Sequence, residues 1–140
     1  MGQIRLSDSD YERLLEFRSG LRTFLKWSRD EAAAAGLAPT QHQLLLAVRG
    51  HPDHDRGPTI GEVAQYLLIK PNTAAELVTR AAGSGLVRRV TDPGDRRIVR
   101  LRLTKRGTER LESITESTFE ELNRLAPRLG RIWEGLETQP

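Results

Sequence analysis

Two adjacent arginines, Arg96 and Arg97, follow the sequence Asp92-Pro93-Gly94-Asp95. Aspartate, proline and glycine in such a run are typical of a tight turn. The flanking residues 86–90 and 98–103 have the composition of strands, so the segment predicts a β-hairpin with a charged tip. Arginines at the tip of a hairpin suit the narrow minor groove of duplex DNA, where the negative potential is enhanced.

The second strand of this hairpin alternates apolar residues with arginines. A period of two is typical of a half-buried strand. The pattern predicts that Leu101 faces the core. It also predicts that Arg100 and Arg102 lie on the solvent-exposed face, where they are not counted among the DNA-contacting residues.

A helix-turn-helix precedes the hairpin. Thr59 and Glu62 predict a capping box at the start of a short helix, and residues 68–70 predict a turn. Pro71 suits the first turn of a second helix over residues 71–82. In this motif the second helix presents its N-terminal residues to base edges in the major groove, and cations neutralise phosphates. The predicted DNA-contacting residues of this helix are Lys70, Asn72, Thr73, Glu76 and Arg80.

Positive charge is concentrated in the same region. The chain has a net charge of +3, and residues 59–106 contain ten basic and four acidic side chains. Residues 1–58 are neutral overall, and residues 107–140 are acidic. This distribution indicates a nucleic acid or another anionic surface as the partner. The alternative is a solvated basic face.

Composition excludes several classes of protein. The 140 residues predict one domain, and the absence of cysteine excludes disulfides, thiolate zinc sites and cysteine nucleophiles. No apolar run approaches the roughly 18 residues of a membrane helix, and no apolar signal core begins the chain, so we expect a cytoplasmic protein without a membrane partner. No nucleophile motif frames the serines and histidines, so no enzyme is predicted. A cluster around His51 and His54 has metal-ligand residue types at weak spacing, and neither a metal nor a cofactor is predicted.

Long amphipathic helices are predicted at both ends. Residues 10–35 form the first, with a Ser9/Glu12 capping box, and a Thr40/Gln43 box starts the next helix. The last helix begins at Thr104, and its apolar stripe is Leu111, Ile114, Thr118, Leu122 and Leu125, resuming at Leu129, Ile132 and Leu136. Pro127 should break or kink it. Such stripes favour a helical homodimer interface. The alternative is that both helices fold back on their own domain.

The order of elements predicts a winged helix-turn-helix, a mainly α fold with a small β-hairpin wing (α+β). Three motifs resemble the MarR family of bacterial transcription regulators: Gly85-Leu86-Val87-Arg88-Arg89, the turn segment 92–97, and Leu103-Thr104-Lys105-Arg106-Gly107. The similarity extends upstream to residues 36–41 and 59–64. It implies a single MarR-type domain over residues 1–140. Residues 1–36 and 108–140 would be dimerisation helices, and residues 37–107 would form the DNA-binding part.

The resemblance also implies roles for residues of the wing. Arg97 would enter the minor groove, Arg96 would contact the DNA backbone or groove edge, and Asp95 would orient the wing by pairing with neighbouring arginines. Ala75 stands where some relatives carry arginine, so base readout would depend on Asn72, Thr73 and Glu76 (Ala81, where leucine is usual, predicts a looser helix end).

By the same resemblance, Trp27 and His42 would line a cleft for a small-molecule effector, phenolic or otherwise aromatic. A tryptophan at such a position is more often part of the core or of a dimer interface. The implied function is a homodimeric repressor that binds pseudo-palindromic double-stranded DNA and is released by the effector. The alternatives are a winged-helix protein-interaction module and a non-specific architectural DNA binder.

Overall fold

The computed structural model describes residues 5–134. These residues form five helices and two strands, in an order that confirms the mainly α fold with one hairpin. The elements are α1 (Asp8–Ala34), α2 (Pro39–Arg49), α3 (Ile60–Leu67), α4 (Pro71–Gly83), β1 (Val87–Thr91), β2 (Val99–Leu103) and α5 (Lys105–Glu134).

The described residues divide into two compact units. One contains the chain up to Glu31 together with the residues from Glu116 onward, and the other contains Ala32–Thr115. The division falls inside the two longest helices, α1 and α5. We call them the terminal-helix unit and the central unit. The assignment of residues 1–36 and 108–140 to dimerisation stays a prediction.

The central unit is built around one hydrophobic core. Its largest fully buried side chains come from α2, α3, α4, β2 and α5: Leu44, Leu45, Val63, Val78, Leu101 and Ile114. The helices supply them at helical spacing, and the strand supplies Leu101 on its inner face, as the alternation predicted. Burial of such side chains is the main favourable contribution to folding.

The helix-turn-helix has the predicted capping box at the start of its first helix and the predicted proline at the start of its second. The Thr59 hydroxyl accepts from the Glu62 amide at 3.2 Å, and the Glu62 carboxylate accepts from the Thr59 amide at 3.1 Å. This reciprocal pair confirms the capping box of α3. α3 ends at Leu67, the C-cap residue Leu68 adopts a left-handed conformation with φ of 54°, and Pro71 opens α4.

The hairpin pairs β1 with β2 antiparallel, from Val87 opposite Leu103 to Thr91 opposite Val99. Each strand begins one residue later than predicted. Leu86 lies outside β1 because its backbone joins neighbouring elements. Its amide donates to the Ala81 carbonyl at 2.9 Å, and its carbonyl accepts from the Thr104 amide at 3.1 Å.

The predicted caps of the first two helices are wrong. α1 is capped by Ser7 and Asp10 instead of Ser9 and Glu12: the Ser7 amide donates to the Asp10 carboxylate at 2.8 Å, and the Ser7 hydroxyl accepts from the Asp10 amide at 3.3 Å. The helix therefore begins earlier than the apolar periodicity indicated. An aspartate at the third helical position performs the role of the usual glutamate.

In α2 the capping side chain is Gln41 rather than Gln43. Its amide oxygen accepts from the Ala38 amide at 3.0 Å. Pro39 occupies the first helical position, so the helix starts one residue before Thr40. Proline fits there because the N–H that it lacks would have no partner within the helix.

Pro127 lies inside α5 and does not end it. The predicted break is wrong, since the helix continues to Glu134. In the terminal-helix unit, contacts after this proline join α5 to α1. Arg131 pairs with Glu16 at 2.8 Å, and Trp133 packs edge-on against Phe17. Leu136 lies outside the described residues. Among residues 5–134, no helix is long and apolar enough to span a membrane.

The glycine of the Leu-Thr-Lys-Arg-Gly motif is required by a close backbone approach. A Cβ atom added at Gly107 would lie 2.0 Å from the Leu86 carbonyl oxygen. That oxygen is held by the Thr104 amide, and the Thr104 hydroxyl caps α5 by accepting from the Gly107 amide at 3.0 Å. The start of α5 therefore packs directly on the backbone that leads into β1.

We expect Gly107→Ala to lower the free energy of unfolding by about 1–3 kcal/mol, because the new methyl group must displace backbone atoms. Gly83→Ala is the matched control, since a Cβ at Gly83 meets nothing within 4 Å. The control should leave stability unchanged or raise it by about 0.5–1 kcal/mol. Urea unfolding followed by circular dichroism measures both changes, and equal effects of the two substitutions would contradict the packing argument.

Candidate nucleic-acid interface

The predicted contact residues of α4 share one exposed face. Ala74, Leu77, Val78 and Ala81 are buried and fix the opposite face of the helix to the core. The structure leaves the five predicted residues exposed: Lys70, Asn72, Thr73, Glu76 and Arg80. This face offers an amide, a hydroxyl, a carboxylate and two cations to a partner. The small side chain at Ala81 is fully buried in the core.

A hydrogen bond ties α4 to the first strand of the hairpin. The Arg89 guanidinium donates to the Thr79 hydroxyl at 3.1 Å, and that hydroxyl donates to the Ala75 carbonyl at 3.0 Å. Sequence reasoning did not find this contact, because the two residues lie on different elements. It sets the strand beside the exposed face of the helix.

The turn of the wing is organised by Asp92. One of its carboxylate oxygens accepts from the amides of Gly94 and Asp95 at 2.7 and 3.1 Å, and the other accepts from the Arg100 side chain at 2.7 Å. The bond from Arg100 is the main cause that lowers the pKa of Asp92, and the two amide bonds act in the same direction. Asp92 is buried, with 4% of its surface exposed.

Asp95 pairs with Arg97 at the tip of the wing. Its carboxylate accepts from the Arg97 amide at 3.0 Å and from two nitrogens of the guanidinium at 3.1 and 2.9 Å. The pairing agrees with the orienting role expected of Asp95, and it raises the pKa of Arg97. The Arg97 side chain remains 90% exposed. Arg96 is exposed beside it.

The prediction that Arg100 lies on a solvent-exposed face is wrong. Only 17% of its side chain is exposed, because residues 57–59 cover this face of β2. The Arg100 guanidinium donates to the Gly57 carbonyl at 3.1 Å and lies 3.8 Å from the Glu62 carboxylate. Arg102 on the same face donates to the His54 carbonyl at 2.7 Å. Leu101 is buried as predicted, whereas Val99 on the same side of the strand is 38% exposed, and the loop that contacts Arg100 was not predicted.

His51 belongs to this polar cluster. Its Nε2 lies 2.8 Å from the Glu62 carboxylate, and its Nδ1 accepts from the Asp53 amide at 3.1 Å. A ring with a proton on Nε2 and none on Nδ1 has the donor and the acceptor that these two contacts need. The bond with His51 is the main cause that lowers the pKa of Glu62. In the part of the chain that the structure describes, no three His, Asp or Glu side chains are grouped to hold a metal ion.

The two residues of the predicted effector cleft lie in different units, so a shared cleft stays a prediction. His42 is buried on α2, and burial lowers its pKa. Trp27 lies on α1 in the terminal-helix unit, where its ring stacks on Phe24 with 6.2 Å between centroids.

A comparison of the sequence with protein families matches residues 35–98 to a model described as the MarR family. The matched segment contains the helix-turn-helix and most of the wing. An uncharacterised HTH-type transcriptional regulator of Bacillus subtilis, YsmB, is 34% identical over 64 residues, which are 46% of this chain and 44% of YsmB. The match therefore spans less than half of the curated relative.

Solved structures with a similar fold include regulators and a DNA complex. AbsC, a MarR family transcriptional regulator from Streptomyces coelicolor, superposes with a TM-score of 0.68 at 19% identity, covering 98% of this chain and 100% of AbsC. A Staphylococcus aureus MepR mutant bound to an oligodeoxyribonucleotide gives 0.64 at 22%, covering 86% and 81%. Bordetella bronchiseptica BpsR, whose DNA binding is regulated by 6-hydroxynicotinic acid, gives 0.60 at 19%, covering 78% and 80%. At these identities the likeness concerns the fold.

Family model, curated relative and fold agree with one another. The curated relative and AbsC are both described as transcriptional regulators. The helix-turn-helix, the wing and the long helices α1 and α5 occur here in a fold that is similar to that of AbsC. Residues 35–98 match the MarR family model, and the fold of the described residues is similar to that of MarR family structures.

Proposed function

We propose that the protein is a homodimeric, sequence-specific DNA-binding transcriptional repressor that acts in the cytoplasm. One observation carries the proposal: a single compact unit presents two cationic, polar surfaces of the kinds that read the two grooves of DNA. The exposed face of α4 carries Asn72 and Thr73 beside Lys70, and the wing tip carries the exposed Arg97. Amide and hydroxyl groups suit base edges in the major groove, and an arginine suits the minor groove.

The homodimer is supported by apolar side chains that the terminal-helix unit leaves exposed. Leu15 and Leu25 on α1 are 66% and 52% exposed, and Phe119 and Trp133 on α5 are 64% and 57% exposed. Full burial of one such side chain contributes about 1.5–3 kcal/mol. A second copy of the chain would bury them and would place two copies of α4 on one duplex. The expected operator is then an inverted repeat with half-sites about one helical turn apart.

Release by a small aromatic molecule is part of the proposal. It rests on the family resemblance and on the reported regulation of BpsR by 6-hydroxynicotinic acid. An effector acts in this way only if it binds one geometry of the dimer better than the other. Trp27 and His42 are the residues proposed to contact it.

The experiment that tests DNA recognition is selection of bound duplexes from a random library at two salt concentrations. An enriched inverted repeat supports the proposed regulator. Tight binding without selection would instead indicate an architectural protein. Absence of binding at both salt concentrations would indicate a protein-interaction module on the same scaffold.

Arg97→Ala should weaken operator binding by about tenfold or more, because an arginine in a groove contributes roughly 1–3 kcal/mol. It should also make the plot of log affinity against log salt less steep, by about 0.9 for each phosphate charge no longer neutralised. Arg29→Ala removes an exposed arginine of α1 and is the control. Unchanged affinity and slope for Arg97→Ala would remove the wing from DNA recognition.

Lys70→Ala and Asn72→Ala should have different effects on DNA binding: the first on overall affinity, the second on sequence preference. Loss of the lysine should weaken binding to all duplexes to a similar extent, because a phosphate contact carries no sequence information. Loss of the asparagine should relax the preference at one position of each half-site, by about 1–3 kcal/mol. Library selection repeated with each variant measures both effects. A uniform loss with both variants would exclude Asn72 from base readout.

Phe119→Glu should convert the dimer into a monomer, because a charge on the buried apolar surface would lose its water without gaining a partner. Leu46→Glu is the matched control: Leu46 is 56% exposed on α2 of the central unit. Sedimentation at one fixed protein concentration distinguishes the two. A monomeric wild type, or a Phe119→Glu variant that remains dimeric, would contradict this interface.

A further inference from the structure

Arg100 differs from the arginines at the wing tip in both exposure and contacts. Its side chain is 17% exposed, against 90% for Arg97. The charged group of Arg100 is therefore mostly buried, unlike the exposed arginines that a DNA duplex would contact. A buried cation is costly unless hydrogen bonds and opposite charges compensate it. The identity of those partners indicates what Arg100 does.

The first partner belongs to the wing. The Nε atom of Arg100 donates to one carboxylate oxygen of Asp92 at 2.7 Å. The other oxygen of Asp92 accepts the amides of Gly94 and Asp95. Because Asp95 in turn holds Arg97 through three hydrogen bonds, a continuous chain of contacts runs from Arg100 to the tip.

The remaining partners belong to the segment that leads into α3. The Nη1 atom of Arg100 donates to the Gly57 carbonyl at 3.1 Å and lies 3.8 Å from the Glu62 carboxylate. The backbone supports the same junction, since Arg100 forms a β-bridge with Thr59 and the Leu101 amide donates to the Pro58 carbonyl at 2.8 Å. Glu62 also caps α3 through Thr59.

We propose that Arg100 is a positioning residue that fixes the wing tip relative to the start of α3 and itself makes no contact with DNA. This inference rests on the proposed DNA-binding function and deepens it. One planar guanidinium bridges the turn of the wing, the loop before α3 and the carboxylate of the α3 cap. The presentation of Arg97 then depends on a side chain three residues away that faces the protein.

The geometry requires an arginine and not merely a positive charge. The Nε and Nη1 atoms point to different partners at the same time, in the fixed fork of the guanidinium. A lysine has a single ammonium nitrogen at the end of a flexible stem, so it cannot occupy both positions. Arg100→Lys therefore keeps the charge and removes the bridge.

The test compares Arg100→Lys with the wild type and with Arg88→Gln, which removes an exposed arginine from the opposite strand of the same hairpin. The first measurement is amide hydrogen exchange of Gly94 and Asp95 in the protein without DNA. We expect exchange to accelerate about tenfold in Arg100→Lys, as for loss of a hydrogen bond to a charged group, and to be unchanged in Arg88→Gln.

The second measurement is affinity for the selected duplex as a function of salt. Arg100→Lys should weaken binding about tenfold with the wild-type salt slope, whereas Arg97→Ala should reduce the slope. Arg100→Gln, which also removes the charge, should keep the wild-type salt slope; a smaller slope for Arg100→Gln would mean that Arg100 contacts phosphate and would overturn the proposal. Wild-type exchange and affinity in Arg100→Lys would also overturn it, as would equal effects in Arg88→Gln.

Asp92→Asn removes the partner of Arg100 in the same bridge. It provides a second test in case the Arg100→Lys variant misfolds. It should reproduce the faster exchange of Gly94 and Asp95 while the thermal unfolding curve remains cooperative. Should the wild type bind no DNA, the proposed function fails, and the exchange measurement still decides whether Arg100 holds the turn. Normal DNA binding with unchanged exchange in both variants would refute the positioning role alone.

Discussion

The buried ion pair between Asp92 and Arg100 is the interaction on which the wing depends. A hairpin of two five-residue strands has little apolar surface of its own, and isolated hairpins are marginally stable in water. Here the carboxylate closes the turn through two amides, and the guanidinium fastens that turn to the segment before α3. The core contributes Leu101 beneath the strand. A polar interaction therefore sets the geometry of an element that burial alone would leave loosely specified.

Local signals in the sequence were sufficient for most of the fold. The Thr59/Glu62 box, the proline at the start of α4 and the turn before Arg96 each act within a few residues, and each appears as predicted. Helix starts without so clear a signal were misplaced, because Ser7 and Gln41 perform capping roles that neighbouring residues could also have performed. Pro127 failed as a helix breaker, and Arg128 and Arg131, which follow it on α5, contact Ser19 and Glu16 of α1.

The sequence was sufficient to predict which residues of the candidate site are exposed to solvent. It was not sufficient to predict which of them contact one another. Exposure of the polar face of α4 follows from helical spacing alone. The burial of Arg100 and the contact between Arg89 and Thr79 depend on which segment lies over which strand. The alternating pattern of β2 distinguishes two faces but carries no information about a loop 43 residues earlier in the chain. Such long-range pairings require the folded structure.

The pairing of Arg97 with Asp95 has a kinetic consequence for the proposed search along DNA. A cation held beside its own counter-charge has little net field at distances beyond the pair, so Arg97 contributes little to long-range steering. Long-range attraction would come from exposed cations at the start of α4 and along it, such as Lys70 and Arg80. The arginine of the tip would act only at contact, when a phosphate or base edge can compete with the carboxylate. Pairing with Asp95 therefore shortens the time that the protein stays bound to unrelated DNA sequences. It leaves the rate at which the protein encounters DNA almost unchanged.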